Sequence, residues 1–406
     1  MNNKVRYTLL FLIIVALIFL ISKVFKSDGI ISGYVYSTQN PDVPLTNVLI
    51  TIDDKKTIPN NQLTGAYILQ NIKKGEHTLK FTKQEFKDEI KVIEVKSGES
   101  IKLNVYLKPK DEIKKISSNS IVTANIGGNT ISIIDYNTRK VTYSIESGIK
   151  PYDIKIFSDR KLAFVSNFGE NTISVINLDK YSVEKKIQFD AGSQITKLEK
   201  DNYNLYLYAL LSGKSKIALI NTRDYKISKE VISSNPIIDF EIDKSNGDII
   251  VLTDRSLDLY NSSGNLIKTI NLLQSSNSAM KDIIPYSYNE LIILTSSNPI
   301  KINVSTEEVT ILPIENITAG IFNNNSSIFY ALKENKLLIY DYPTFELKKF
   351  IELNLPRPNK LKFSPYNQEL LISSDIANFI QVFNTSSETL EANFDAFITI
   401  SSFDFI

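Results

Sequence analysis

Residues 121–135, IVTANIGGNTISIID, recur 42 positions later as AFVSNFGENTISVIN at 163–177, with seven of the fifteen positions identical. The shared letters include Asn125 and Asn167, Gly127 and Gly169, and the run Asn-Thr-Ile-Ser. Each copy reads as a strand, a Gly/Asn turn and an alternating strand, the pattern of a β-hairpin. Self-similarity near 40 residues means units that cannot bury their apolar faces alone and must pack on their neighbours.

The register runs on to the C-terminal end. A strand of each unit ends in Asn or Asp, at Asp135, Asn177, Asn221, Asn261, Asn303, Asp341 and Asn384, spaced 42, 44, 40, 42, 38 and 43 residues apart. An Asx side chain there can bond backbone two residues on and start a tight turn. Six further strands lead into hairpins, from Pro151, Gln194, Pro236, Asp282, Ala319 and Asn359, and a seventh from Phe397 has no hairpin after it. The hairpin at Ile121 has no lead-in strand, so the strand near Phe397 is expected to complete that first unit. Circular closure protects free sheet edges. The expectation for 119–406 is a seven-bladed β-propeller closed by pairing of its N- and C-terminal strands.

The segment GIKPYDIKIFSDRKLAFVSNFGENTISVINLDKYSVEKKI resembles the YVTN-type repeat of YncE-like seven-bladed β-propellers. The family's G-x-x-P element stands as Gly148 and Pro151, and its Tyr-Val-Thr-Asn as Phe164, Val165, Ser166 and Asn167. The likeness is good over the first two units, while the later five keep the strand pattern and lose most motif letters. A WD40 reading is disfavoured, since there is no Trp and the single His lies outside the repeats.

Before the repeats, the chain holds three further segments. Residues 1–28 contain an uncharged apolar run, 7–22, between Lys4/Arg6 and Lys23/Lys26. With snorkelling of the flanking charges, it reaches the length of a membrane span. No small-x-small cleavage site follows it, so an uncleaved anchor is expected, N-terminus cytoplasmic and bulk of the chain outside. Residues 29–108 read as six or seven short strands in a small β-sandwich. Gly33–Val35, Pro44–Val48, Thr64–Ile72 and Lys74–Phe81 resemble the carboxypeptidase regulatory-like (transthyretin-like) domain, which implies a non-catalytic spacer or interaction module. Residues 109–118 are charged and polar and read as a linker.

Composition excludes several chemistries. There is no cysteine, so disulfide scaffolds, thiol nucleophiles and a lipoprotein anchor are ruled out. The net charge of +1 gives no nucleic-acid footprint. His77 is the only histidine and reads as a surface or packing residue of the sandwich. With no His, Cys or Trp after residue 118, haem ligation and Ser-His-Asp catalysis find no residues in the repeats.

What remains are the acids Asp153, Glu199, Asp239 and Glu241 on lead-in strands, which line a propeller's channel. Such a ring with Asn would hold Ca²⁺ through hard oxygen ligands, the alternative being a lactonase-like or lyase-like hydrolase with a channel metal ion. Tyr203, Tyr206 and Tyr208 alternate, which puts all but one on a shared face of one strand, either as packing between blades or as a sugar-stacking surface. Six N-x-S/T sequons, at Asn261, Asn303, Asn316, Asn324, Asn325 and Asn384, read as chance products of an Asn/Ser-rich chain. With no catalytic constellation, cofactor or metal assigned, the favoured expectation is a membrane-anchored extracytoplasmic binding or scaffold protein. Its propeller face would meet a protein or a glycan.

Overall fold

The structure is a computed structural model that describes residues 28–38, 40–61, 64–83, 86–110, 119–272, 278–287, 289–323, 327–396 and 398–406. The expected anchor at 1–28 lies outside these except for its last residue, as does most of the expected linker. Among the described residues no helix is long and apolar enough to cross a membrane. The chain divides into two compact units, 1–114 and 115–406.

Among the described residues, the first unit contains nine strands in two sheets, more than the six or seven expected. Gly29–Ser37 pairs antiparallel with Ala66–Ile72 and Asn40–Pro44, and parallel with both Ser100–Lys102 and Val105–Leu107. Leu49–Ile52 lies between Lys56–Pro59 and Gly75–Thr82, with Glu89–Val95 at the edge beyond. Every second residue of Gly29–Ser37 is buried, and Ile31, Val35, Ile50, Leu69, Leu79, Phe81 and Val105 share one core.

The stretch SIKLNVYLK, read as one strand, breaks at Leu103–Asn104. There Leu103 donates to the Ser32 carbonyl at 2.8 Å, and Asn104 Oδ1 accepts from Tyr34 at 3.0 Å. A Cβ on Gly33 would sit 1.9 Å from the Leu103 carbonyl oxygen, which is why glycine is needed at this point. Asn40–Pro44 escapes sequence detection because its prolines mimic a loop, which an edge strand tolerates.

The second unit is seven four-stranded antiparallel sheets. Blades 2 to 7 are each contiguous in sequence, beginning at Pro151, Ile195, Ile237, Met280, Ala319 and Lys360. Blade 1 joins Ser120–Asn125, Thr130–Asp135 and Val141–Glu146 to the distant Ser402–Phe405. The closing strand pairs Ile121 with Phe405 and Ala124 with Ser402. The expected closure is present, although the strand is shorter than the sequence pattern suggested.

Apolar clusters fill the spaces between successive blades: Phe157 and Phe164 of blade 2 pack with Leu198 and Leu207 of blade 3. The buried Tyr208 packs with Phe240 of blade 4, and the half-buried Tyr206 packs against the same cluster. Outer strands carry charged stretches such as SVEKKIQ, ISKEVI and LKKFIE. Charges of this kind discourage edge-to-edge pairing.

Turn chemistry follows the sequence closely. Asp135, Asn177, Asn221, Asn261, Asn303 and Asn384 each accept, through Oδ1, from a backbone amide two to four residues on. Asp341 departs from the pattern: its Oδ1 meets Lys348 at 3.1 Å, and a cis Tyr342–Pro343 bond follows it.

The repeated Asn-Thr-Ile-Ser run proves architectural. Asn167 donates to Thr172 Oγ1 and Ser174 Oγ, both at 2.9 Å, and Asn125 donates to Thr130 Oγ1 at 3.1 Å and Ser132 Oγ at 2.8 Å. A Cβ on Gly148 would lie 2.4 Å from the Asn167 amide, so the glycine of G-x-x-P makes room for that amide. Replacing the fully buried Asn167 by Leu should cost about 1–3 kcal/mol by stranding these hydroxyls, measurable by urea unfolding.

The joint between blades 7 and 1 is reinforced beyond its ladder. The Tyr136 hydroxyl donates to Glu369, and the Arg139 guanidinium lies 3.3 Å from Glu369 and 3.0 Å from Glu391, over the Phe394 ring. The Tyr366 hydroxyl donates to the Ile406 carbonyl at 2.6 Å. Phe403→Ala should therefore lower the melting temperature of the propeller by roughly 6–15 °C, and deletion of 397–406 should abolish its cooperative transition. A calorimetric trace unchanged by the deletion would contradict closure by this strand.

Candidate functional site

The first strands of all seven blades surround a central cavity of about 700 Å³. Because side chains alternate along a strand, residues at equivalent places in the blades fall into two tiers, most of whose members line it. The first tier is Ser402, Asp153, Lys197, Asp239, Asp282, Ala319 and Lys360, in order from blade 1 to blade 7. These pair across the ladder with Ala124, Ser166, Leu210, Leu252, Leu294, Leu332 and Ser373. Two residues on in each strand, the second tier is Asp404, Lys155, Glu199, Glu241, Ile284, Ile321 and Lys362.

All four acids expected in the channel are there, but lysines stand between them. Lys155 Nζ is 2.7 Å from Glu199, and Lys197 Nζ is 2.8 Å from Asp239 and 2.7 Å from Glu241. Lys362 pairs with Asp404. Among the described residues, no group of three or more His, Cys, Asp or Glu side chains converges to hold a metal ion. The charged groups instead tie blade to blade. Asp153 accepts from Ser402 Oγ at 2.6 Å and from the Leu198 amide at 2.8 Å, so one carboxylate links blades 1, 2 and 3. Asp239 accepts from the Ile283 amide at 2.9 Å, and Asp404 from the Ile156 amide at 2.8 Å.

Protonation follows from crowding. Burial works to raise the Asp153 carboxyl, but Lys360 and Lys155, with the bonds from Ser402 and Leu198, hold it below its ordinary value. Burial and the neighbouring Asp239 drive Asp282 well above the usual carboxylate range. Burial pushes Glu241 up to about 7, with Glu199 and Asp239 acting in the same direction against Lys197. The two tiers carry six carboxyls against four ammoniums, and the raised Asp282 and Glu241 lessen that acidic excess.

The unfolded chain releases the Glu241 proton near pH 4.5 and the folded chain near 7. The folded state thus holds more protons in between, and its stability falls as pH rises through that window. His77 adds a contribution of the same sign in the other unit. Its Nδ1 is 2.7 Å from Asp53 and its Nε2 is 2.7 Å from the Lys73 carbonyl. Although burial opposes it, these bonds raise its pKa. The stabilisation is present below about pH 6.5 and is lost as pH rises past the folded value. Glu241→Gln separates the two effects: it should lessen the decline in propeller melting temperature between about pH 4.5 and 7, measured by calorimetry, while leaving the His77 contribution in the other unit in place.

A second concavity, of about 600 Å³, lies on the surface between blades 3 and 4. Its lining includes Asp201, Asn202, Tyr203, Leu205, Lys244 and Ser262. Tyr203 precedes the strand Tyr206–Leu211, in the turn, and is 78% exposed, whereas Tyr206 is half-buried and Tyr208 buried.

The sequence reading found the acids and missed Lys155, Lys197, Lys360, Lys362, Asp282 and Asp404. The signal was available in the lead-in strands, where DIK, KLE, DFE, DII, KLK and SFD occupy equivalent places once the repeats are aligned.

No family model and no curated protein matches the chain. Among solved structures, hydrazine synthase of Kuenenia stuttgartiensis is similar, with a TM-score of 0.55 at 14% identity, covering 65% of this chain and 95% of that one. The Cps50 (Swd1) β-propeller domain of Myceliophteria thermophila gives 0.52 at 14% identity, covering 61% and 87%. A functionally unknown protein of Desulfotomaculum acetoxidans gives 0.59 at 14% identity, covering 71% and 98%. At this identity the likeness is one of fold, and that fold is the β-propeller.

Proposed function

We propose that the protein is a membrane-anchored extracytoplasmic binding protein of the YncE-like propeller type, preceded by a carboxypeptidase regulatory-like sandwich. In this reading the apolar segment 7–22 holds the chain in the membrane, and the propeller meets a glycan on its outer surface. The observation that carries it is the groove between blades 3 and 4. An exposed tyrosine ring there stands beside amide, carboxylate and hydroxyl side chains, including Asn202, Asp201 and Ser262. An aromatic ring offers a flat apolar face to sugar C–H groups, and neighbouring polar groups bond the hydroxyls. Most channel charges are engaged with one another, which supports a rigid scaffold in which recognition sits on the surface.

The test is glycan-array binding by the purified protein, with Tyr203→Ala as the comparison. Wild-type protein should retain a defined set of glycans, and the variant should bind them at least ten-fold more weakly with an unchanged melt. Equal binding by the two proteins would refute the groove assignment. Membrane attachment is checked separately: the full chain should sediment with membranes and resist carbonate extraction, and a chain lacking 1–28 should not.

A further inference from the structure

The first tier of the channel is an open chain of charge. It runs from Ser402 to Asp153, then through the Leu198 amide and Lys197 to Asp239, which shares a hydrogen bond with Asp282. At blade 6 the series stops, because the tier residue is Ala319; it resumes at Lys360 of blade 7. The second tier is apolar over the same arc, with Ile284 and Ile321. An acid and an ammonium therefore flank an uncharged stretch of the cavity wall.

Lys360 differs from the other three lysines of these tiers. Lys155, Lys197 and Lys362 each hold a carboxylate, whereas among the described residues none lies within 4.0 Å of Lys360, whose Nζ rests 6.0 Å from the Tyr152 ring centroid. Burial and the ammoniums of Lys155, Lys197 and Lys362 depress its pKa, while Asp153 acts against them. Lys360 is thus an ammonium with no carboxylate in contact, and an incoming oxyanion would supply that partner. Charge-assisted bonds in such a confined site are stronger than neutral ones, and the cavity volume falls in the range of small-molecule sites.

We propose that this gap binds a small organic oxyanion, a carboxylate or a phosphate ester, through the Lys360 ammonium, with its carbon skeleton against Ala319, Ile284 and Ile321. The site is separate from the surface groove and does not depend on a glycan ligand.

The experiment is isothermal titration of the purified full chain with succinate and with inorganic phosphate, repeated with Lys360→Gln and with Ala319→Leu, which fills the gap. Saturable binding of either probe is expected, weakened at least ten-fold in both variants. The preferred probe then assigns the group as carboxylate or phosphate. In parallel, wild-type protein is treated with acetic anhydride at pH 8 and mapped by mass spectrometry. Lys360 should be protected by the probe that binds, while surface lysines are not. This measurement decides the matter even where a variant fails to fold. Absence of saturable binding by both probes, binding unchanged by Lys360→Gln in a folded variant, or no protection of Lys360 would each overturn the proposal.

Discussion

The propeller depends on one short ladder, in which Ser402–Phe405 pairs with Ser120–Asn125. Without it, blade 1 would present a bare strand to the channel, and the packing on both sides of that blade would open. The surrounding residues reflect this. Ile400 and Phe403 join Ile121, Leu371 and Phe394 in a core that spans blades 7 and 1. Asp404 reaches the Ile156 amide of blade 2. Four backbone pairs thus serve as the fastener, and buried side chains on either side hold it shut.

Inside the ring, electrostatics does the work that apolar packing does between the blades. Inner strands lie too close to the channel to be covered by hydrophobic side chains alone, and their exposed amides need partners. Asp153, Asp239 and Asp404 provide these across blade boundaries, and lysines offset the resulting charge. A buried pair of this kind adds little net stability relative to an apolar one, but losing one partner strands the other. The network is therefore better regarded as fixing which blade stands beside which.

Blade number, hairpin register and most turn residues were legible in the sequence because each rests on local chemistry repeated from blade to blade, and closure followed from the one hairpin without a lead-in strand and the one lead-in strand without a hairpin. The Asn at 177 and its equivalents cap turns that need a side-chain acceptor at that place, and the Asn-Thr-Ile-Ser run serves one buried amide. The channel was half legible. Acids on inner strands stood out as candidate ligands, while the lysines that neutralise them look like ordinary surface residues until the blades are superimposed. The first unit was under-counted because a strand at Val105–Leu107 follows another without a turn signal, and prolines in Asn40–Pro44 mask a strand. Tyr203 could not be told from Tyr206 and Tyr208, since a spacing of three or five residues does not reveal where a turn ends.

Closure by distant segments also sets an order in time. Three strands of blade 1 are made before blades 2 to 7, and their partner at Ser402–Phe405 is made after them. At about 5–20 residues per second, the inner edge of Ser120–Asn125 waits roughly 15–60 s for its partner. During that interval Ile121, Val122 and Ala124 offer an apolar strand with free amides to any extended segment nearby. The newly made chain is thus most prone to pair with a second copy of itself before its last strand arrives, and a factor that shields this one edge would raise the yield of folded protein.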